Sequence, residues 1–191
     1  MNIRLYAVKL DRPLSEAERS TLARFLPPER QDRIKTSEPL CACALLCRAL
    51  HELYGLEDLP QLSCGEHGKP YFASHPDVHF SLSHTRGAAL LAVHNEPIGV
   101  DIECLRPVSG AMRTRFHAAN DADFWRLWVQ RESRCKRAGI SAVALRDREM
   151  PSFPNERVFA LEPFPDYTTG VCTCSDADVD KLIRLTVDEL I

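Results

Sequence analysis

Between Ile98 and Glu103 the chain reads Ile-Gly-Val-Asp-Ile-Glu, and no other stretch constrains the fold as tightly. Ile98, Val100 and Ile102 fall on one face of an extended segment and Gly99, Asp101 and Glu103 on the other, the period of a half-buried β-strand. The aliphatic face requires a core. The other face sets two carboxylates side by side, and the missing side chain of Gly99 is expected to leave an open space where a ligand approaches the backbone. Two such oxygen ligands suit a hard cation such as Mg²⁺, which takes one or two carboxylates and fills its shell with water and phosphate. An isolated Asp-x-Glu is most often a solvated strand edge, so the chemistry needs partners from elsewhere in the chain.

A chain of 191 residues is one large domain or two small fused ones, and either buries a real core. The net charge of −3 offers no basic excess to displace counterions, so no nucleic-acid partner is expected. No run approaches the about 18 apolar residues of a membrane span, and Met1–Leu5 lacks the apolar core of a signal peptide. The expectation is a cytoplasmic protein with no membrane partner. Of the eight cysteines, Cys41, Cys43 and Cys47 lie in an apolar run and Cys172 and Cys174 on an expected strand. Without a C-x₂-C pair or zinc-finger histidines, they read as small buried hydrophobes.

Along the chain, strands are expected at residues 3–10, 79–84, 88–94, 98–103, 157–161, 167–174 and 183–187. Ser15 with Glu18 forms a capping box for a helix through Phe25. A buried helix from Leu40 to Tyr54 ends at Gly55. Arg30 and Arg33 lie three apart in a polar turn, and Cys64–Tyr71 is a turn-rich loop presenting Lys69. Pro107 breaks the chain, dividing it into residues 1–106 and 107–191. Asn120 or Asp121 caps a helix to Ala138, closed by Gly139, with Phe124, Leu127, Trp128 and Cys135 as its apolar stripe. Trp128, Glu132 and Lys136 stack in one column at its edge.

Taken together, these features resemble the Sfp-type 4′-phosphopantetheinyl transferases over nearly the whole length. The two hallmark motifs, (I/V)-G-(I/V)-D-x-E and W-x-x-K-E-(S/A)-x-x-K, read Ile98–Glu103 and Trp128–Lys136 here. The family's G-K-P and S-H elements read Gly68-Lys69-Pro70 and Ser83-His84, in the family's order. The resemblance implies an α+β fold of two similar subdomains related by a pseudo-twofold. It implies transfer of the phosphopantetheine arm from coenzyme A to a serine of an acyl or peptidyl carrier protein, with 3′,5′-ADP leaving and the protein acting as a monomer. Asp101, Glu103 and Glu132 would hold Mg²⁺ against the pyrophosphate, Lys136 would neutralise phosphate charge, and Glu132 is the candidate base for the carrier serine. Arg30, Arg33, Lys69, Pro70, Ser83 and His84 are the expected coenzyme A contacts.

The chain departs from the pattern at Arg131, at Val129, at Pro39-Leu40 and in a shortened interval between the hallmark motifs. With less apolar docking surface there, and with carriers of this kind generally acidic, Arg106, Arg113 and Arg115 are expected to take up recognition by charge. Two alternatives stay open: a relative that binds coenzyme A or carrier without turnover, and a Mg²⁺-dependent phosphohydrolase.

Overall fold

The computed structural model describes residues 1–27, 31, 34, 36–140 and 153–191. Strand β1 (Ile3–Lys9) is apolar along nearly its whole length and takes the interior of a four-stranded sheet, in the order β4 (His79–Thr85), β5 (Ala88–His94), β1, β9 (Val179–Leu185). β5 pairs antiparallel with both β1 and β4, while β9 runs parallel to β1. One face of this sheet, carrying Tyr6, Val8, Ala89, Leu91 and Val93, packs against helix α2 (Glu38–Tyr54) and against Leu22 of α1 (Glu16–Ala23). Its other face, carrying Ile3, Leu5, Ala7, Ala88, Leu90 and Ala92, meets Ile98, Val100 and Ile102 of β6 (Ile98–Cys104). The alternation in that motif therefore buries its aliphatic side between two sheets.

β6 is the outer strand of an antiparallel sheet ordered β6, β8 (Tyr167–Thr173), β7 (Arg157–Leu161). Helix α4 (Asp121–Ala138) covers the far face of this sheet, so the layers run helix, sheet, sheet, helix. A short hairpin, β2 (Leu62–Cys64) with β3 (Pro70–Phe72), stands beside them. This mixed architecture agrees with the α+β expectation. Each sheet takes a strand from the other side of residue 107: β6 pairs with β8, and β9 with β1.

The caps are where the sequence puts them. Both halves of the Ser15/Glu18 box form, Asn120 accepts from the Asp123 N–H, and Gly55 and Gly139 close their helices with φ of 66° each. Three expectations need correction. A helix α3 (Gly110–Arg115), capped by the Ser109 hydroxyl, stands where none was expected. The last strand starts at Val179, not 183, because as an outer strand it carries Asp180 and Lys181 in the open, with Asp180 paired to Arg4 at 2.8 Å. The buried stripe of α4 is Phe124, Trp125, Val129, Ser133 and Cys135, with Leu127 and Trp128 only half-buried.

Candidate active site

Strand β4 sets a ladder of hydroxyls along the open edge of β6. Ser81, Ser83 and Thr85 alternate with Phe80, Leu82 and His84, so all three hydroxyls face β6. Ser81 Oγ accepts from the Val100 N–H (3.0 Å) and Ser83 Oγ from the Ile102 N–H (3.2 Å), satisfying backbone donors that the edge strand leaves unpaired. Ser83 in turn donates to Asp101 Oδ1 at 2.7 Å. Thr85 Oγ1 donates to Glu103 Oε2 at 2.8 Å, and Arg106 Nη1 reaches the same oxygen at 3.0 Å. Asp101 is thus buried, 6% exposed, with one oxygen engaged; its Oδ2 has no hydrogen-bond partner.

Helix α4 lies directly on β6 and β8. A Cβ at Gly99 would overlap the Ser133 carbonyl oxygen and the backbone of Arg137, and one at Gly170 would overlap the Val129 carbonyl. Gly170 pairs with Asp101 across the sheet, so the two glycines form the floor on which Val129, Ser133 and Arg137, each four residues apart, are seated. The space beside Gly99 is therefore filled by the helix backbone. It is not the open approach for a ligand that the sequence suggested. Val129, the small-residue departure in the second motif, is fully buried in this contact.

Seated this closely, the helix brings Glu132 and Lys136 to the carboxylate edge. Lys136 Nζ donates to Asp101 Oδ1 (2.7 Å) and to Ser83 Oγ (2.8 Å), so the Ser83 hydroxyl uses its proton and both acceptor sites. Glu132 is half-buried, and its pKa is raised, first by desolvation and then by the charge of Asp101; Glu103 adds to the rise and Lys136 opposes it. Three carboxylates and one lysine therefore sense one another electrostatically. His84, on the exposed side of β4, has its pKa lowered by burial of the ring and by Lys136.

Lys69, an expected coenzyme A contact, lies between the start of β6 and the end of α4. Its ammonium donates to the main-chain oxygens of Ile98 (2.9 Å) and Arg137 (3.2 Å), and burial, followed by the nearby Arg137 charge, lowers its pKa to about 8. With Pro70, Ser81, Lys136 and Gly139 it lines a cleft of about 220 Å³ between the hairpin and the end of α4. Arg30 and Arg33 lie outside the described residues. Ser81 and Thr85 were missed in the sequence, although hydroxyls at two-residue spacing before Ile98–Glu103 were a readable sign.

Among the described residues, no three His, Cys, Asp or Glu side chains form a ready-made metal cage. The residues still fit Mg²⁺ in the way that ion is usually held. A buried carboxylate oxygen without a partner belongs to Asp101, and the ionisation of Glu132 is resisted first by burial and then by the Asp101 charge; a divalent cation would answer the missing partner and the repulsion.

An acidic pair of this kind with a lysine between its members marks the centre of an enzyme, where perturbed carboxylates gather. No protein-family model matches the chain. It is 31% identical to a Bacillus subtilis 4′-phosphopantetheinyl transferase, in an alignment covering 99% of this chain and all of that relative. It is 29% identical to the 4′-phosphopantetheinyl transferase Sfp of Bacillus subtilis (strain 168), again across 99% of this chain and all of the relative. To the transferase AcpT of Salmonella typhi it is 30% identical over 137 residues, 62% of this chain and 68% of that one. The molecule is a transferase. Full-length correspondence at this identity places it in the Sfp-type 4′-phosphopantetheinyl transferase family.

Proposed function

We propose that the chain moves the 4′-phosphopantetheine arm of coenzyme A onto a serine of an acyl or peptidyl carrier protein. The observation that carries this reading is that Lys136 of the second hallmark motif donates to Asp101 Oδ1 of the first, while Asp101 Oδ2 is left unpartnered and the Asp101 charge is felt by Glu132. In the reaction the carrier's serine oxygen bonds to the β-phosphorus of coenzyme A, the bond to the bridging oxygen breaks, and 3′,5′-ADP leaves with the electron pair. Glu132 takes the serine proton, directly or through a water held beside it.

Asp101, Glu103 and Glu132 would hold Mg²⁺, which supplies charge neutralisation for the pyrophosphate when bound. Ser83 and Thr85 keep the first two carboxylates oriented, leaving Asp101 Oδ2 for the ion. Lys136, now on Asp101, would neutralise charge on the departing 5′-phosphate of 3′,5′-ADP. Coenzyme A would enter by the cleft beside Pro70 and Lys136, with Ser83, His84, Arg30 and Arg33 as further contacts. Residues 1–106 and 107–191 would form the two halves of a pseudo-twofold, with the protein acting as a monomer in the cytoplasm.

The test is to incubate the protein with coenzyme A, Mg²⁺ and an apo-carrier protein and weigh the carrier. A gain of the phosphopantetheine mass is expected. It should be lost in Asp101→Asn and Glu132→Gln and partly restored by higher Mg²⁺ or by Mn²⁺. Coenzyme A binding without mass gain, or coenzyme A cleavage without carrier, overturns the assignment.

A further inference from the structure

The last turn of helix α4 presents main-chain carbonyls that its own backbone does not fill. The Gly139 N–H reaches the Lys136 carbonyl (3.3 Å) and the Ile140 N–H reaches that of Cys135 (3.0 Å), which closes the C-terminal turn in the usual way. The carbonyl of Arg137 takes no backbone donor from that closure. It is met instead by Lys69, whose Nζ lies 3.2 Å away and whose stem runs under Gly139, with Lys69 Cδ 3.9 Å from where a Cβ there would stand. The same nitrogen donates at 2.9 Å to the carbonyl of Ile98, the first residue of β6. A cation at a helix C-terminus is favoured by the exposed carbonyl dipoles, and here it arrives from 68 residues away.

The lysine is presented stiffly. Gly65 and Gly68 fold the turn before β3 through two backbone hydrogen bonds, Gly65 N–H to the Lys69 carbonyl and Gly68 N–H to that of Gly65, each at 2.9 Å. The residue next to its helix partner is Lys136, whose ammonium sits on Asp101 and Ser83. The glycine floor lets α4 rest on β6 and β8, and Lys69 adds a tie at the C-terminal end of the helix, beyond that contact.

We propose that Lys69 is a positioning residue, tying the last turn of α4 to the start of β6 and so fixing the height at which Lys136 and Glu132 stand over Asp101. This rests on the proposed transferase reading for its kinetic consequence and on nothing but the fold for its structural one. It also replaces the phosphate-contact role that the family motif implied. Two donors on two carbonyls need no charge: the neutral amine still carries two N–H groups, so the tie survives deprotonation near pH 8. A phosphate contact would not survive it.

The experiment compares wild type with Lys69→Met and Lys69→Arg in three readouts. In the protein without coenzyme A, amide exchange at Gly139 and Ile140 should speed up at least tenfold in K69M and return toward wild type in K69R. In the transfer assay K69M should lose about ten- to hundredfold in kcat, the scale of an ångström of misplacement, with the KM for coenzyme A changed less than threefold. In wild type, Lys69 should methylate slowly whether or not coenzyme A is present, a measurement that needs no variant to fold. Unchanged exchange in K69M, a KM increase that vanishes with dephospho-coenzyme A, or labelling of Lys69 that coenzyme A blocks would each overturn the proposal. If the wild-type protein transfers nothing, the function fails, and exchange and labelling still decide the tie.

Discussion

Glu132 carries two opposite pH dependences in one side chain. Its folded pKa lies above the unfolded value near 4.5, because burial and the charge of Asp101 oppose ionisation. A carboxyl raised on folding adds stability that is fully present below the unfolded pKa and is lost as pH rises through the folded one. In protein stripped of divalent ions, Glu132→Gln should therefore have the higher Tm at pH 7, with the difference shrinking as pH falls toward 4.5. Wild-type transfer should weaken over that same descent, since the proton the base must accept is already there. Equal Tm differences at both pH values would remove the electrostatic reading. Thr169 gives a second case. It is 1% exposed and its hydroxyl has no hydrogen-bond partner, so Thr169→Val should raise stability by about 1 kcal/mol in denaturant titration. At this scale the carboxylates and Lys136 were legible because charged residues at fixed spacing are rare on buried faces. The partners of Lys69 were not, since they are main-chain oxygens 29 and 68 residues distant and carry no side-chain signature.

The seating of α4 on β6 and β8 turns two glycines into determinants of the site. Neither needs a left-handed backbone; what each needs is the absence of a Cβ under a helix. Gly99→Ala must lift the helix or shift the strand, and neither the Ser133 carbonyl nor the Arg137 backbone can rotate aside. A loss of about 3 kcal/mol is expected, at the upper end of overpacking costs, together with loss of transfer in whatever fraction stays folded. Urea unfolding and the carrier mass assay together measure it, and a variant with wild-type stability would mean that α4 does not lie as described. The sequence announced the bounds of α4 through Asn120 and Gly139, yet misread part of its buried stripe and the purpose of Gly99. A glycine beside two carboxylates looks the same in one dimension whether a ligand or a helix fills the gap. Only the register, which sets Gly170 opposite Asp101, separates the two.

Across the whole molecule, the break at Pro107 is a feature of the chain and not of the hydrogen bonding, because β6 and β9 each join strands from the other side of it. Sequence distance could not reveal those pairings, as parallel β1–β9 contact spans nearly the full chain and leaves no local pattern. The segment between Pro107 and α4 folds as helix α3, whose following Phe116 packs on Phe124 (5.0 Å) and Trp128 (5.6 Å), one helical turn from Glu132.

That placement bears on how a carrier would dock in the proposed reaction. Arg106 pairs with Glu103 and lies over the face of Trp125, 3.9 Å from its centroid, so two neighbours hold it at the carboxylate edge. Arg113 pairs with Asp121 at 3.1 Å, both partners being more than a third exposed, and such a pair is worth under about 1 kcal/mol. An acidic carrier can exchange that partner at little cost, which an arginine in a buried pair would not allow. Arg113→Glu with Arg115→Glu should then raise the carrier KM about tenfold at low salt. The effect should narrow as ionic strength rises and the Debye length falls below the separation of the charges. With coenzyme A proposed to enter at the far end of α4, beside Lys136, its affinity should stay within twofold, and Tm should fall by only a few degrees. A carrier KM untouched by the charge reversal would place docking on another face, and one that rises equally at all salt concentrations would make the effect one of shape, not charge.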